Sequence, residues 1–223
     1  MKAVDFDYER AESVAAVCRR LADRAGEAKL IAGGQTLVPL LAMRLARPRL
    51  LIDINFIAEL KGIRAADGVV AIGAGTRQAA ALSDETVRRR LPLLAKALSH
   101  VGHVQTRNRG TVGGSLANAD PAAEIGLACL ALGAELEVHS VRGERRIAIG
   151  DFFRGAMETA LEPDECLCQI RLPAAPEAAG IGTGFQELSV RQSDFALAAA
   201  AVQLELDGGR CARVAIAIGG AET

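Results

Sequence analysis

The stretch RNRGTVGGSLANADPAAE, residues 107–124, organises the reading of this chain. It is rich in glycine and small residues, carries Arg107 and Arg109, and has almost nothing bulky to bury. Gly110, Gly113 and Gly114 are read as positions where backbone approaches a ligand closely and takes up positive φ. Successive N–H groups in such a turn form a concave nest that favours anions. Pro121 is placed where a helix can start, because its fixed φ and missing N–H suit a first turn. An earlier stretch, LIAGGQTL at residues 30–37, repeats the chemistry: an apolar run, a glycine pair, a hydrogen-bonding residue and a hydroxyl. Two such segments point to the two sides of one long anionic ligand, of which a dinucleotide pyrophosphate is the natural example.

Ala32, Gly33, Gly34, Gln35, Thr36 and Leu37, paired with Thr111, Val112, Gly113, Gly114 and Ser115, resemble the FAD loops of the flavin subunits of molybdenum hydroxylases. The similarity is strongest to medium subunits of the aerobic carbon monoxide dehydrogenase type, with the FAD domain of xanthine dehydrogenase a more distant relative. It extends from the start of the chain to the RQSDFA segment at residues 191–196.

The resemblance implies an α+β fold: a two-lobed FAD-binding domain of the PCMH (vanillyl-alcohol oxidase-like) type, then a β-rich C-terminal domain. It implies that backbone N–H groups of residues 33–36 and 112–115 hold the FAD pyrophosphate, helped by the Thr36, Thr111 and Ser115 hydroxyls. Glu124 corresponds to an acidic position that contacts the adenosine half, where Asp is commoner. Leu167 corresponds to an apolar position beside the flavin. Phe185 and Gln186 fall where relatives carry an aromatic and a lysine near the isoalloxazine, so here the charge is missing. The implied partners are a molybdopterin large subunit and a [2Fe–2S] small subunit in a heterotrimer or its dimer, with electrons leaving FAD for an external acceptor. No catalytic side chain and no metal ligand is expected in this chain, because a flavin carries the chemistry. Two rival readings are a truncated, non-catalytic flavin or assembly module and a self-contained FAD oxidase.

Composition is that of an ordinary soluble globular protein. The chain has 223 residues, 26 Lys+Arg against 27 Asp+Glu, and 50% hydrophobic residues, so it has no field for nucleic acid. No apolar run reaches the ~18–20 residues that span a membrane. The N-terminus has no apolar signal core, and the expected location is cytoplasmic. Five scattered cysteines do not form a disulfide framework. Cys166 and Cys168 are read as alternate positions on a strand, one facing in and one out. His100 and His103 are spaced to share a helix face.

The periodicities predict a parallel α/β lobe over residues 1–56, with strands at 4–8, 29–32 and 50–54 and helices at 12–24 and 36–44. A second, α+β lobe is expected over 57–173. It has a hairpin about Asp67-Gly68, helices at 77–82, 91–101 and 122–132, and strands at 134–139, 145–149 and 166–172. Residues 174–180 read as a linker. Residues 181–223 read as a partial C-terminal domain with strands at 183–190, 199–206 and 211–218 and a short helix near Phe195. The expectation is that this last unit is truncated or that a partner covers its open face.

Overall fold

The computed structural model describes residues 2–24, 26–175, 180–191 and 193–220. Most of the expected linker therefore lies outside the described residues. The N-terminal region forms a three-stranded parallel sheet from β1 (Asp7–Arg10), β2 (Ala28–Ile31) and β3 (Leu50–Asp53), in the order β1-β3-β2. Helix α1 (Val14–Asp23) crosses from β1 to β2. It is capped by Ser13, whose hydroxyl accepts from the Ala16 N–H, and buries Val14, Val17, Cys18 and Leu21 at helical spacing. Helix α2 (Leu37–Ala42) follows the first glycine segment, with Pro39 in its first turn, where a missing N–H costs nothing.

The second sheet begins with the hairpin of β4 (Ile63–Ala66) and β5 (Val69–Gly73), turned by Asp67 at φ 51° and Gly68 at φ 74°, both left-handed as this tight turn demands. Three short helices and a longer one follow, α3 (Gln78–Ser83), α4 (Glu85–Arg90), α5 (Pro92–His100) and α6 (Val104–Arg109); the first three add to the core over this sheet, and α6 packs on α3. They are followed by α7 (Val112–Asn118) and α8 (Glu124–Leu132). Strands β6 (Glu135–Ser140) and β7 (Gly143–Ala148), a small hairpin of β8 (Phe153–Gly155) and β9 (Glu158–Thr159), and β10 (Cys166–Pro173) complete the region. The five-stranded sheet has the order β4-β5-β10-β6-β7. A third, antiparallel sheet comprises β11 (Gly180–Leu188), β12 (Ala198–Asp207) and β13 (Arg210–Gly219) in sequential order.

β10 divides two cores. Cys166 and Cys168 join α1 and the parallel sheet, while Leu167, Ile170 and Leu172 face the larger core with α5, α7 and α8. Residues two apart on a strand share a face, so the expectation of one cysteine inward and one outward is corrected: both are buried on the same side. A register shift between Leu167 and Gln169 marks a bulge directly after this pair. The short helix expected near Phe195 is absent among the described residues; Ser193 has φ 69° and Phe195 is exposed in a connecting segment. β1 also starts later than expected, at Asp7.

Helix α8 is apolar almost all round, burying Ile125 to Cys129 and Ala131 and Leu132, and it packs against α5, β12 and β13. It thereby joins the third sheet to the second. No helix among the described residues is long and apolar enough to cross a membrane.

Candidate functional site

The first glycine segment leaves the C-terminal end of β2, where open parallel sheets present ligand sites. Gly34 takes φ +71°, the left-handed conformation that glycine reaches without strain. The Gly34 and Thr36 carbonyls accept the first bonds of α2, from Val38 at 3.0 Å and Leu40 at 3.2 Å. By contrast, the backbone N–H groups of Gly33, Gly34, Gln35 and Thr36 donate to no other group among the described residues. The Gln35 side chain folds back onto the Gly33 carbonyl at 3.2 Å. The result is a run of N–H donors with free hydrogen-bonding capacity, flanked by the exposed Thr36 hydroxyl.

The second glycine segment is built differently from the expected nest. Gly110, Gly113 and Gly114 are absent from the positive-φ glycines. Thr111 is the N-cap of α7, its hydroxyl accepting from Gly114 N–H at 3.0 Å. Val112 N–H donates to Thr76 at 3.0 Å, Gly113 N–H to Ala74 at 2.8 Å and Ser115 N–H to Thr111 at 3.1 Å. All four N–H groups of residues 112–115 thus have protein acceptors, and the anion nest expected there is corrected. Gly113 is glycine for packing: a β-carbon would overlap Ala74 and lie 2.7 Å from its Cα. What this segment offers a ligand is its shape and the half-buried Ser115 hydroxyl. Pro121 does not start α8, which begins at Glu124.

The two segments touch. A β-carbon on Gly33 would overlap the Arg109 carbonyl oxygen and come within 2.8 Å of Gly110 Cα, and one on Gly114 would sit 3.9 Å from Ala32 Cβ. Residues absent from the sequence reading brace this junction. Asn55, just beyond β3, donates from Nδ2 to the Ala32 carbonyl and to Asp53 Oδ1, each at 2.7 Å. Its Oδ1 accepts from Arg77 Nη2 at 2.7 Å, and Arg77 Nη1 donates to the Arg109 carbonyl. Tyr8 donates to Asp53. Burial and the neighbouring Arg109 charge lower the Arg77 pKa from its ordinary value. No motif announces Asn55 or Arg77; only their place at a strand end and a helix start could have drawn notice.

Glu124 opens α8 in a mostly buried setting. Burial, with the charges of Glu187 and Asp120, pushes its carboxyl up to about 7 against the backbone N–H and Arg107, which act the other way. The Glu187 side chain on β11 is itself buried, with Oε1 3.3 Å from His100 Nδ1 and Oε2 without a hydrogen-bond partner among the described residues. Phe185 lies on the same face and meets the His100 ring at a centroid distance of 5.1 Å. Gln186 points to the opposite, exposed face, so the Phe185 and Gln186 side chains are not brought together. Leu167 is buried in the larger core.

His100 ends α5 and His103 caps α6, so the shared helix face is corrected. Arg107 donates to the Val101 and Gly102 carbonyls at 2.7 and 2.8 Å, closing the end of α5. One three-residue group of metal-ligand type occurs among the described residues, Glu137, His139 and Glu144 on β6 and β7.

Comparison with known proteins places this geometry. Residues 4–175 match the family described as the FAD binding domain in molybdopterin dehydrogenase. The chain is 43% identical over 225 residues to the 6-hydroxypseudooxynicotine dehydrogenase complex subunit alpha of Paenarthrobacter nicotinovorans, covering 100% of this chain and 75% of that protein. It is 37% identical over 213 residues to the carbon monoxide dehydrogenase medium chain of Afipia carboxidovorans, covering 96% of this chain and 73% of that one. A carbon monoxide dehydrogenase structure from Hydrogenophaga pseudoflava superposes with a TM-score of 0.95 at 37% identity, covering 98% of this chain and 76% of that one. Quinoline 2-oxidoreductase from Pseudomonas putida 86 superposes with a TM-score of 0.93 at 40% identity, covering 100% and 76%. On this combination of glycine segments, fold and similarity, the chain belongs to the family of FAD-binding domains of molybdopterin dehydrogenases.

Proposed function

We propose that this chain is the electron-transfer subunit of a molybdenum hydroxylase, holding FAD across its two glycine segments. The observation that carries this reading is the contact between Gly33 and Arg109–Gly110, beside a run of N–H donors at residues 33–36 that no acceptor among the described residues uses. Those residues fit a diphosphate: it accepts several hydrogen bonds, and charge-assisted bonds are the strong ones. The N–H groups of 33–36 and the Thr36 and Ser115 hydroxyls hold it. Ala32 and Leu37 shape one wall and Gly114 with Ser115 the other, while Thr111, Val112 and Gly113 are buried behind it and hold the segment in place. Glu124 serves the adenosine half; of the residues expected beside the flavin, Leu167 is buried in the larger core and the Phe185 and Gln186 side chains point to opposite faces, so they form no shared wall.

Bound FAD supplies redox chemistry that no side chain provides, passing electrons between donors and acceptors that exchange them in different numbers. The chain's own work is to bind and orient it. With Gln186 in place of lysine, this subunit sets no positive side chain at that position. Electrons enter from the [2Fe–2S] clusters of a small partner subunit, reduced by a molybdopterin large subunit, in a cytoplasmic heterotrimer or its dimer. The relatives' names, medium chain and complex subunit, support that assembly.

The test is to purify the complex, separate its subunits and assay each for FAD, iron and molybdenum. FAD is expected on this chain and both metals on its partners. A chain that carries no FAD and gains none on incubation with it overturns the proposal.

A further inference from the structure

The bracing of the two glycine segments goes beyond local loop geometry. Ala32 follows a strand of the parallel sheet, Arg109 ends helix α6, and one line of side chains runs between their carbonyls. Asp53 Oδ1 accepts from both the backbone N–H and the Nδ2 of Asn55, at 2.8 and 2.7 Å. That fixes the rotation of the Asn55 amide. Its other N–H direction reaches the Ala32 carbonyl at 2.7 Å, and its oxygen is left facing Arg77 Nη2 at 2.7 Å. Turning the amide over would set its NH₂ against a guanidinium and its oxygen against a carboxylate and a carbonyl, so a single arrangement satisfies every group. Arg77 then uses the second arm of its fork on the Arg109 carbonyl. The planar guanidinium fork reaches both acceptors at once, whereas lysine has the charge but not the fork. Tyr8, donating to Asp53, ties the line to β1.

We infer that Asn55 and Arg77 are positioning residues for the cofactor: they form a strut, anchored on Asp53, that holds the two glycine segments at one separation so that both engage a single diphosphate. The strut touches carbonyls and leaves the N–H donors of residues 33–36 free for the ligand. It acts on the ligand through the loops. This inference rests on the proposal that the two segments hold FAD.

The experiment is a double-mutant cycle on FAD affinity with the full chain. The wild type, Asn55→Ala, Arg77→Ala and the double variant are titrated with FAD, following quenching of flavin fluorescence. Apo-protein melting is measured in parallel. Each single variant is expected to weaken FAD binding by ~10-fold or more, and the double variant by little more than the worse single one, because a strut fails at either link. Millimolar methylguanidinium is expected to restore affinity to Arg77→Ala but not to Asn55→Ala, a response that general destabilisation would not give. If the alanine variants do not fold, Asn55→Asp and Arg77→Lys replace them. Asn55→Asp keeps the acceptor for Arg77 but loses the bond to Ala32, and Arg77→Lys keeps the charge but loses the fork; both are expected to bind FAD more weakly. Losses that multiply in the double variant, or variants that bind FAD as the wild type does, overturn the strut. A wild type that binds no FAD overturns the cofactor proposal instead, and the two failures are therefore told apart.

Discussion

The carbonyl oxygen of Arg109 occupies the space into which any side chain on Gly33 would grow. The two residues are far apart in sequence, one following a strand of the parallel sheet and the other ending helix α6, yet their backbones are in direct contact. Gly33→Ala must therefore part the glycine segments. Overpacking against backbone costs ~1–3 kcal/mol or more, since backbone cannot rotate away. Chemical denaturation should show that loss, and FAD titration should show affinity reduced at least about tenfold. A Gly33→Ala chain as stable as wild type would mean the contact is looser than described.

Gly113 makes a parallel case on the other segment. Its missing side chain lets α7 lie on Ala74, whose Cα is 2.7 Å from where a β-carbon would stand. Gly113→Val is expected to destabilise the fold by ~3 kcal/mol or more and to abolish FAD retention, read by melting and by flavin absorbance of the purified chain. Ala117 sits exposed on the same helix, and Ala117→Ser should leave both readouts near wild type.

Glu124 should make the apo chain sensitive to pH. Its carboxyl is raised from 4.5 to about 7, with burial as the leading cause. A carboxyl whose folded value exceeds its unfolded one binds a proton more tightly in the folded state. Its contribution is complete below the unfolded value and disappears as pH climbs through the folded one. Stability therefore declines across that interval. Glu124→Gln should flatten the decline and, above it, stabilise the apo chain by on the order of 2–3 kcal/mol. Urea denaturation across the pH range measures this; an unchanged slope in the variant refutes it.

Thiol labelling gives a fourth test. Cys18, Cys129, Cys166 and Cys168 are buried and Cys211 is exposed. Burial pushes the Cys18 thiol up to about 11 and Cys129 up to about 12, and a hydrogen bond with Cys166, together with burial, raises the Cys168 thiol. Thiolate is the reactive form. An aromatic disulfide reagent should modify Cys211 promptly under native conditions and the other four only on unfolding.

Much of this architecture was legible because it is written locally. The Asp67-Gly68 turn, the spacing of Val14, Val17 and Leu21, and the glycine pair after an apolar run each declare their structure within a few residues. Helix α6 was hidden because it buries nothing and so carries no apolar period. Helix α7 was hidden because its first turn is Val-Gly-Gly-Ser, a sequence of low helix propensity; the Thr111 cap and packing against Ala74 hold it in place. The Gly113 motif could be recognised while its physical reason was misread, as glycine serves close approach to protein as readily as approach to a ligand. Asn55 and Arg77 were out of reach for another reason. Their importance lies in partners 23 and 32 residues away along the chain, which only folding brings near.

Helix α8 lies wedged between two sheets, with Leu130 alone of its apolar residues substantially exposed. Water can reach its amides only when those sheets part. In deuterated buffer this helix should be the last segment to lose its protons, so its exchange rate serves as a clock for opening of the whole molecule rather than for fraying of a part.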